Sequence, residues 1–236
     1  MTAVSAPRTA RDRARAELTG EIKAAGLRHL AEHGAAGLSL RAVARELGMV
    51  SSAVYRYFPS RDELLTALIV DAYTAVGEVA EQAAELRRRT RFVGRWVGVA
   101  ESVREWALAH RHEYALIYGT PVAGYAAPTD TIDPATRVPL VFLGLIADGI
   151  ENGEIETRGA AVARPVHSDF GVLRAQTGIT IPDPVLSRTL AAWAQLLGGI
   201  SLELFGHLHN VIHDYDAYFA LQMRTASDFL VGGGHS

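Results

Sequence analysis

The segment SSAVYRY, residues 51–57, holds two serines, two tyrosines and an arginine in one short stretch. Hydroxyl and guanidinium groups at this density suit hydrogen bonding to a partner better than packing in a core. Small side chains at the start of a helix let it sit deep in a DNA major groove, and tyrosine hydroxyls further along reach phosphates. The chemistry that this segment predicts is nucleic-acid recognition.

A second cluster of candidate ligands is HLHNVIHD, residues 207–214. His209 and His213 are four positions apart and could chelate a metal on one helical turn, with Asp214 or Glu203 as a third ligand. The alternative is a group of surface histidines near a helix end, where the helix dipole tolerates imidazolium. We favour the second interpretation and predict neither a metal nor a cofactor.

Catalytic motifs are missing from the sequence. It contains no G-x-S-x-G, glycine-rich phosphate loop or H-E-x-x-H pattern. Because an enzyme needs several reactive groups in a defined arrangement, we predict that the protein is not an enzyme.

The segment 51–57 needs helices on both sides to hold it. Apolar periodicity predicts a helix from about Ala14 to His33, which Gly34 ends in a left-handed conformation. Ser39 is the expected N-cap of a second helix over residues 40–47. These two helices form the support for the segment that follows.

Gly48 can take a positive φ and so provides a tight turn after the second helix. Ser51 is predicted to cap a short helix that runs to about Tyr57, with Val54 and Phe58 facing inward. A helix, a glycine turn and a short helix together form a helix-turn-helix outline.

The rest of the chain also has helical periodicity, so the predicted class is all-α with about nine helices. A capping box at Ser60–Glu63 opens a long helix to about Leu86. Further helices are expected at roughly 92–109, 111–119, 134–151, 183–208 and 215–230. The stretches 120–134 and 153–184 are irregular, and the second can hold a short helix near residues 170–175.

The predicted domains are a flexible basic arm at 1–13, a helix-turn-helix domain at 14–60, and a linking helix with a ligand-binding and dimerisation domain at 61–236. Charge follows this division. Residues 1–61 hold 10 Lys and Arg against 5 Asp and Glu, although the whole chain has a net charge of −3. A basic segment on an acidic body predicts that one part meets a polyanion.

Composition bounds the remaining classes. With 49% hydrophobic residues a packed core is expected, and with no cysteine disulfides are excluded. No apolar run reaches the roughly 18 residues of a membrane span, and the N-terminus lacks the apolar block of a secretory signal. We predict a cytoplasmic protein without membrane association.

The stretch LSLRAVARELGMVSSAVYRYFPSRDELL, residues 38–65, resembles the N-terminal domain of TetR-family repressors, and the resemblance covers residues 17–70. It implies a symmetric dimer, an all-helical ligand domain and repression that a small effector relieves. The positions matching the family's phosphate and groove-edge contacts are Ser39, Arg41, Tyr55, Tyr57 and Arg61. The base-proximal positions are Ser51, Ser52 and Ala53.

Arg56 and a group of N-terminal arginines add further basic side chains to this pattern. Arg56 stands where an aromatic or basic residue is common and is included among the predicted DNA-binding residues. An N-terminal group either enters a minor groove, as some family arms do, or stays in a solvated arm; its members are Arg8, Arg11, Arg13 and Arg15.

The stretches at residues 111–128 and 191–208 look like a C-terminal subclass of the family that is named for a Trp-His-Gly motif. Trp193 and Gly198 are present, but Leu197 occupies the histidine position. A ligand cavity with aromatic walls is expected between helices. Its candidates are Trp96, Trp106, Tyr114, Tyr118, Tyr125, Phe142, His167, Phe170 and Trp193.

A dimer interface is expected along the helices at 183–208 and 215–230. Two adjacent glycines inside a helix are unfavourable by roughly 2 kcal/mol relative to two alanines, so close packing should compensate. Ordinary core packing is the alternative. The candidate interface residues are Trp193, Gly198, Gly199, Leu202, Glu203 and Phe219, where Glu203 either pairs across the interface or holds a ligand.

Together these features predict a homodimeric repressor that binds a palindromic operator in double-stranded DNA and is released by a small apolar or amphipathic effector. Two alternatives stay open. One is an architectural DNA-binding protein without an effector, which would lack a large apolar cavity. The other is a metal-responsive regulator that uses His209 and His213.

Overall fold

The structure is a computed structural model that describes residues 9–232. Within them the protein is all-helical, as predicted, with ten α-helices, two 3₁₀ turns at Ala35–Gly37 and Thr129–Thr131, and no strand. The α-helices are α1 (Ala10–His33), α2 (Leu40–Glu46), α3 (Ser51–Tyr55), α4 (Arg61–Leu86), α5 (Phe92–Ala109), α6 (Arg111–Tyr118), α7 (Ile132–Glu151), α8 (Arg164–Thr177), α9 (Asp183–Leu204) and α10 (Tyr215–Val231).

The chain divides into two compact units. Within the described residues, the first unit consists of residues 9–72 and His112–Thr131, and the second of Tyr73–Arg111 and residues 132–232. Helix α4 therefore begins in the first unit and ends in the second. None of the helices in residues 9–232 is both long and apolar enough to cross a membrane.

Helix α1 begins earlier than its apolar pattern predicts. Thr9 and Asp12 form a capping box, in which the Thr9 hydroxyl accepts from the Asp12 backbone N–H and the Asp12 carboxylate accepts from that of Thr9. The hydrogen bond from the Thr9 hydroxyl also lowers the pKa of Asp12. The predicted flexible arm is therefore wrong for residues 10–13, and residues 1–8 lie outside the described part.

Helix α1 does end at Gly34, but not in the predicted left-handed conformation. Gly34 has φ +69° and ψ 171°, and its N–H donates to the Leu30 carbonyl. The positive φ still needs glycine, while the extended ψ leads the chain directly into the 3₁₀ turn before α2.

Helix α8 is longer than the short helix expected near residues 170–175, and it is the tenth helix that the predicted nine did not include. Pro165 lies in its first turn, and Gly178, with φ +70°, ends it as a left-handed C-cap. Most side chains of α8 are exposed, so the segment has few apolar residues. Apolar periodicity therefore did not predict the full length of the helix.

The core of the first unit lies where α1, α2, α3 and α4 meet. Apolar side chains on one face of each helix are almost fully buried: Ile22, Leu30, Val43, Ala44, Val54, Leu64 and Leu68. A Cβ at Gly26 of α1 would come within 3.3 Å of a Leu64 methyl, so α1 and α4 approach closely there. This packing holds the short α3 against the rest of the unit.

In the second unit α10 packs against α5 and α9, and α7 packs against α5. The buried aromatic side chains of this core are Phe92, Trp96, Trp106, Phe142, Phe170 and Phe219. Pro139 lies inside α7, where it removes one intrahelical hydrogen bond without ending the helix.

Candidate nucleic-acid interface and ligand cavity

The α2–α3 turn has the predicted geometry. Ser39 caps α2 by accepting a hydrogen bond from the Ala42 N–H at 3.5 Å, and Gly48 has φ +65°. After the turn, the Met49 N–H donates to the Ala44 carbonyl at 2.8 Å. Since Ala44 is also buried, its small size allows α2 and α3 to meet at this point.

One capping prediction is wrong. Ser51 is the first residue of α3, and the N-cap is Val50, whose side chain can make no capping hydrogen bond. Helix α3 is also shorter than predicted, because it ends at Tyr55 and residues 56–57 form a turn. The Ser51 hydroxyl is thus not needed to cap the helix.

The outer face of α3 is available to a partner. Ser52, Tyr55 and Arg56 are exposed, while Ser51, Ala53 and Tyr57 are half-buried. Val54 and Phe58 turn inward, with exposures of 0% and 7%, as their spacing predicts. The polar groups of the segment therefore lie together on the face opposite the core.

Two arginines extend this face. Arg41 on α2 and Arg56 after α3 are exposed, and neither forms an ion pair or hydrogen bond through its side chain within residues 9–232. Such cations can bind a phosphate without first breaking an ion pair within the protein. This makes both residues suitable for phosphate contacts.

Arg61 is less free than the family pattern implies. Its guanidinium donates to the Ala35 carbonyl at 2.7 Å and to the Asp62 carboxylate at 2.9 Å. Two of its five N–H donors are therefore used, and the one that binds Ala35 ties the start of α4 to the 3₁₀ turn before α2. The phosphate contact of Arg61 stays a prediction, and its role in joining these elements is an addition to it.

The N-terminal arginines are helical rather than part of an arm. Arg11, Arg13 and Arg15 lie on α1 and are exposed, and Arg8 lies outside the described residues. The Arg15 guanidinium lies over the Tyr57 ring, 5.3 Å from its centroid, which is a cation–π distance. Helix α1 is thus in contact with Tyr57, the last residue of the segment 51–57.

The second unit contains an apolar cavity of about 120 Å³. It brings together three of the nine predicted ligand residues, Trp96, Phe142 and Trp193, whose rings meet edge to face. The other lining residues are Pro139, Leu143, Leu173, Leu186, Thr189 and Leu190. The Thr189 hydroxyl already donates to the Val185 carbonyl at 2.8 Å, and none of the lining side chains is charged.

One polar group of this lining lacks a partner. Trp96 is 0% exposed, and no described residue accepts a hydrogen bond from its indole Nε1–H. A buried donor without an acceptor is unfavourable by roughly 1–3 kcal/mol. An acceptor on a bound molecule would remove this cost.

The other predicted ligand residues lie outside the cavity lining. Trp106 stacks on His110, and Phe170 is buried elsewhere in the second unit. His167 is exposed and pairs with Asp183. The three tyrosines belong to the first unit, where the hydroxyls of Tyr125 and Thr66 are 2.9 Å apart; they are Tyr114, Tyr118 and Tyr125.

Glu203 has a partner within its own chain, and the two roles predicted for it stay predictions. Its carboxylate accepts two hydrogen bonds of 2.7 Å from the guanidinium of Arg104, which is 6% exposed. Arg104 also donates to Asp216 at 2.7 Å and lies over the Phe219 ring. The hydrogen bonds to Glu203 are the main reason that the pKa of Arg104 is raised.

Arg104 is not among the residues predicted from the sequence, although the sequence carries a signal for it. It lies among apolar residues on the buried side of α5, between Val103 and Trp106. A charged residue at such a position requires a buried counter-charge. The partner itself, 99 positions later in the chain, could not be read from that signal.

The two glycines of α9 have different surroundings. A Cβ at Gly199 would lie 2.9 Å from the Gln222 amide oxygen of α10, whereas one at Gly198 would meet nothing within 4 Å. The alternative of ordinary core packing therefore holds for Gly199. Phe219, also predicted at the dimer interface, is 2% exposed and belongs to the core of its own chain.

Gly198 lies on a surface that we call the α9 stripe. Its residues recur at helical spacing, carry no charge and are exposed or half-buried: Leu190, Ala191, Ala194, Gly198, Leu202 and Phe205. On the neighbouring α10, Leu221 is 60% and Phe229 is 45% exposed. Apolar side chains on two adjacent helices are thus open to a partner.

The histidines of residues 207–214 do not form a metal site with other described residues. His207, His209 and His213 are exposed, and residues 9–232 contain no group of three potential ligands that could hold a metal ion.

Comparisons with known proteins support the same assignment for both parts of the chain. The family model described as bacterial regulatory proteins, tetR family, matches residues 22–68, and that of the tetracyclin repressor-like C-terminal domain matches residues 96–226. The Trp-His-Gly subclass and the significance of Leu197 stay predictions, because the matching C-terminal model is not named for that motif.

Curated relatives include the HTH-type transcriptional regulators Rv1816 of Mycobacterium tuberculosis and Mb1846 of Mycobacterium bovis. Each is 45% identical over 194 residues, which cover 82% of this chain and 83% of the relative. The crystal structure of SCO4313, a protein described as regulatory, has a TM-score of 0.76 and 32% identity over 94% of this chain and 98% of that one. Together, the two family models and these relatives show that the chain belongs to the TetR family of helix-turn-helix transcriptional regulators.

Proposed function

We propose that this protein is a homodimeric repressor that binds a palindromic DNA operator and is released by a compact, uncharged effector. The observation that carries the proposal is the outer face of α3, where Ser52, Tyr55 and Arg56 are exposed while Val54 is fully buried. A helix of this kind presents its first residues to base edges in a major groove.

The α9 stripe supports the dimer. A monomer would leave Leu202, Phe205 and Leu221 in water, at exposures of 41%, 50% and 60%. A second copy that packs its own stripe against this one removes these side chains from water on both copies. Two-fold symmetry then requires the two α3 helices to meet half-sites one helical turn apart or somewhat more, on the order of 34–40 Å.

The apolar cavity supports the effector. An apolar cavity of roughly 150 Å³ is known to hold a benzene molecule, so about 120 Å³ suits a single small ring or a short branched chain. The lining provides aromatic walls, and the buried indole N–H of Trp96 has no acceptor among the described residues. An effector with one hydrogen-bond acceptor on an apolar frame fits both features.

Release requires that the effector bind the DNA-incompetent conformation better than the competent one. A hundredfold difference in affinity, about 2.7 kcal/mol, gives strong induction if the two conformations are nearly balanced. Helix α4 is the proposed connection, because it continues without a break from Arg61 in the first unit to Leu86 in the second.

The experiment has two stages. Selection from random duplexes with the full-length protein should yield a palindromic sequence, and a thermal-shift screen of small neutral aromatic and terpenoid compounds should yield stabilising ligands. Each ligand is then tested for release of the selected DNA. A ligand that stabilises the protein yet leaves DNA affinity unchanged would favour the architectural, effector-free alternative.

Trp96→Phe and Trp106→Phe form a matched pair for the effector site. Both indole N–H groups are buried and unpaired among the described residues, but only Trp96 lines the cavity. Trp96→Phe should weaken ligands that carry an acceptor and leave DNA binding without a ligand intact. Equal effects of the two substitutions on ligand affinity would remove Trp96 from the proposed site.

A further inference from the structure

Val50 is an apolar residue placed where neither burial nor helix capping explains it. Its side chain is 71% exposed, so it contributes little to the core of the first unit. It is also the N-cap of α3, a position at which Ser, Thr, Asp and Asn are strongly preferred and Val is among the poorest residues. Stability alone would favour a different residue at this position.

The backbone holds Val50 firmly in this exposed position. Its carbonyl accepts a hydrogen bond from the Ala53 N–H at 2.9 Å, and the preceding residue, Met49, donates to the Ala44 carbonyl at 2.8 Å. A valine side chain also has little rotational freedom about χ1. The two methyl groups therefore point in a defined direction without being packed.

Val50 lies next to Ser51 and Ser52, at the end of α3 that a helix-turn-helix protein inserts into the major groove. In that groove only one base feature is apolar, the 5-methyl group of thymine. The neighbouring serine hydroxyls suit the polar edges of bases. The valine methyls suit the thymine methyl.

We propose that Val50 is a specificity-determining residue that recognises a thymine in each half-site through contact with its 5-methyl group. This inference rests on the proposed DNA-binding function. It adds Val50 to the base-proximal positions that the family resemblance implies, which are Ser51, Ser52 and Ala53.

Deoxyuridine provides the direct test, because it pairs as thymidine does and lacks only the 5-methyl group. In the selected operator, each thymine is replaced in turn by deoxyuridine, symmetrically in both half-sites, and affinity is measured for the full-length protein. Removal of one buried methyl should weaken binding about fourfold per half-site, hence about 15-fold for a palindrome. The loss should occur at one symmetric pair of positions.

Val50→Ser should abolish this sensitivity to deoxyuridine at that position, and Val50→Ala, which keeps one methyl group, should reduce it. Val50→Ser should also raise the melting temperature, because serine is a better N-cap than valine. Val50→Ser should thus increase stability and decrease discrimination between thymine and uracil. A residue with a purely structural role would not change the two properties in opposite directions. Val211→Ser, at a position 68% exposed in the second unit, is the control for loss of an exposed apolar side chain.

The proposal is overturned if the wild-type protein tolerates deoxyuridine at every thymine, or if Val50→Ala retains the wild-type sensitivity. In both cases DNA binding itself stands, because an operator has been selected. Failure to select any sequence would instead remove the proposed function together with this inference.

Discussion

At the scale of single residues, the arginines of this protein divide by whether a carboxylate already neutralises them. Arg28 pairs with Glu46 at 2.7 Å, whereas Arg56 has no such partner within residues 9–232. A phosphate contact by an unpaired arginine releases condensed counterions from DNA, and a paired arginine contributes much less to this release. Salt dependence can therefore separate the two kinds of cation.

We expect Arg56→Ala to lower the slope of log affinity against log salt concentration by about 0.9 for each α3 helix on the DNA. Affinity should fall for all sequences alike, with little change in stability, because the side chain is exposed. Arg28→Ala is the matched control and should leave the slope nearly unchanged. Binding isotherms across a series of salt concentrations measure the slopes of both variants. Equal changes in slope would mean that the net positive charge of the domain, and not a phosphate contact by Arg56, determines the salt dependence.

Arg104, in contrast to Arg56, is a buried cation whose contribution to stability depends on its carboxylate partners. Replacement by methionine would leave the Glu203 carboxylate, 11% exposed, without its two hydrogen bonds. Loss of one member of a buried ion pair costs about 3–5 kcal/mol of unfolding free energy. Asp216→Asn should have a small effect, since the Asp216 side chain is 89% exposed and well screened by solvent.

The unfolding free energies of these variants can be measured by urea titration with tryptophan fluorescence as the signal. All three tryptophans, Trp96, Trp106 and Trp193, belong to the second unit, which also contains Arg104. If Arg104→Met and Asp216→Asn destabilise the protein equally, the Glu203 pair is not the main contribution. Arg104→Met with Glu203→Leu should recover part of the loss, because no unpaired charge remains.

At the scale of elements, the junction of α8 and α9 depends on Asp183. Its carboxylate accepts hydrogen bonds from His167 and Arg174 of α8, and these lower its pKa, with the bond from His167 as the larger cause. A carboxyl group whose folded pKa is lowered stabilises the fold fully above its unfolded pKa, near 3.9, and loses that contribution as the pH falls through the folded value.

Asp183→Asn should therefore be less stable than the wild type at pH 6, and the difference should shrink as the pH falls below about 4. Urea unfolding from pH 6 to pH 2.5 is the measurement. Asp169→Asn, on the exposed side of α8, is the control and should match the wild type over the whole range. A difference that stays constant with pH would show that the asparagine disturbs packing and not charge.

At the scale of the whole molecule, the proposed repressor depends on two copies of the chain. Two linked recognition helices gain affinity because the second binds from a high effective concentration, a gain of about 100-fold or more. The α9 stripe is uncharged over its whole length, so a carboxylate placed in it would be buried without a partner on association.

Leu202→Glu should accordingly produce a monomer whose operator affinity is about 100-fold lower. Sedimentation velocity and DNA-binding isotherms on the same preparation measure the two effects. Leu86→Glu, which changes an 84% exposed leucine at the end of α4, should leave both unchanged. A Leu202→Glu protein that stays dimeric at micromolar concentration would place the interface elsewhere.

The sequence by itself determined the helical class, the α2–turn–α3 motif, most helix boundaries and the family. These features depend on interactions within a few residues along the chain, such as the cap at Ser39, the positive φ at Gly48 and the inward spacing of Val54 and Phe58. Each of them has a local physical cause that residue types alone reveal.

Only the tertiary structure decided which distant groups meet. Glu203 pairs with Arg104 across 99 positions, and the Arg61 guanidinium binds the Ala35 carbonyl 26 positions away. Of nine aromatic and histidine candidates, only Trp96, Phe142 and Trp193 line one cavity. An apolar or charged side chain requires some partner, but helix packing selects the particular one, and that choice is not contained in local periodicity.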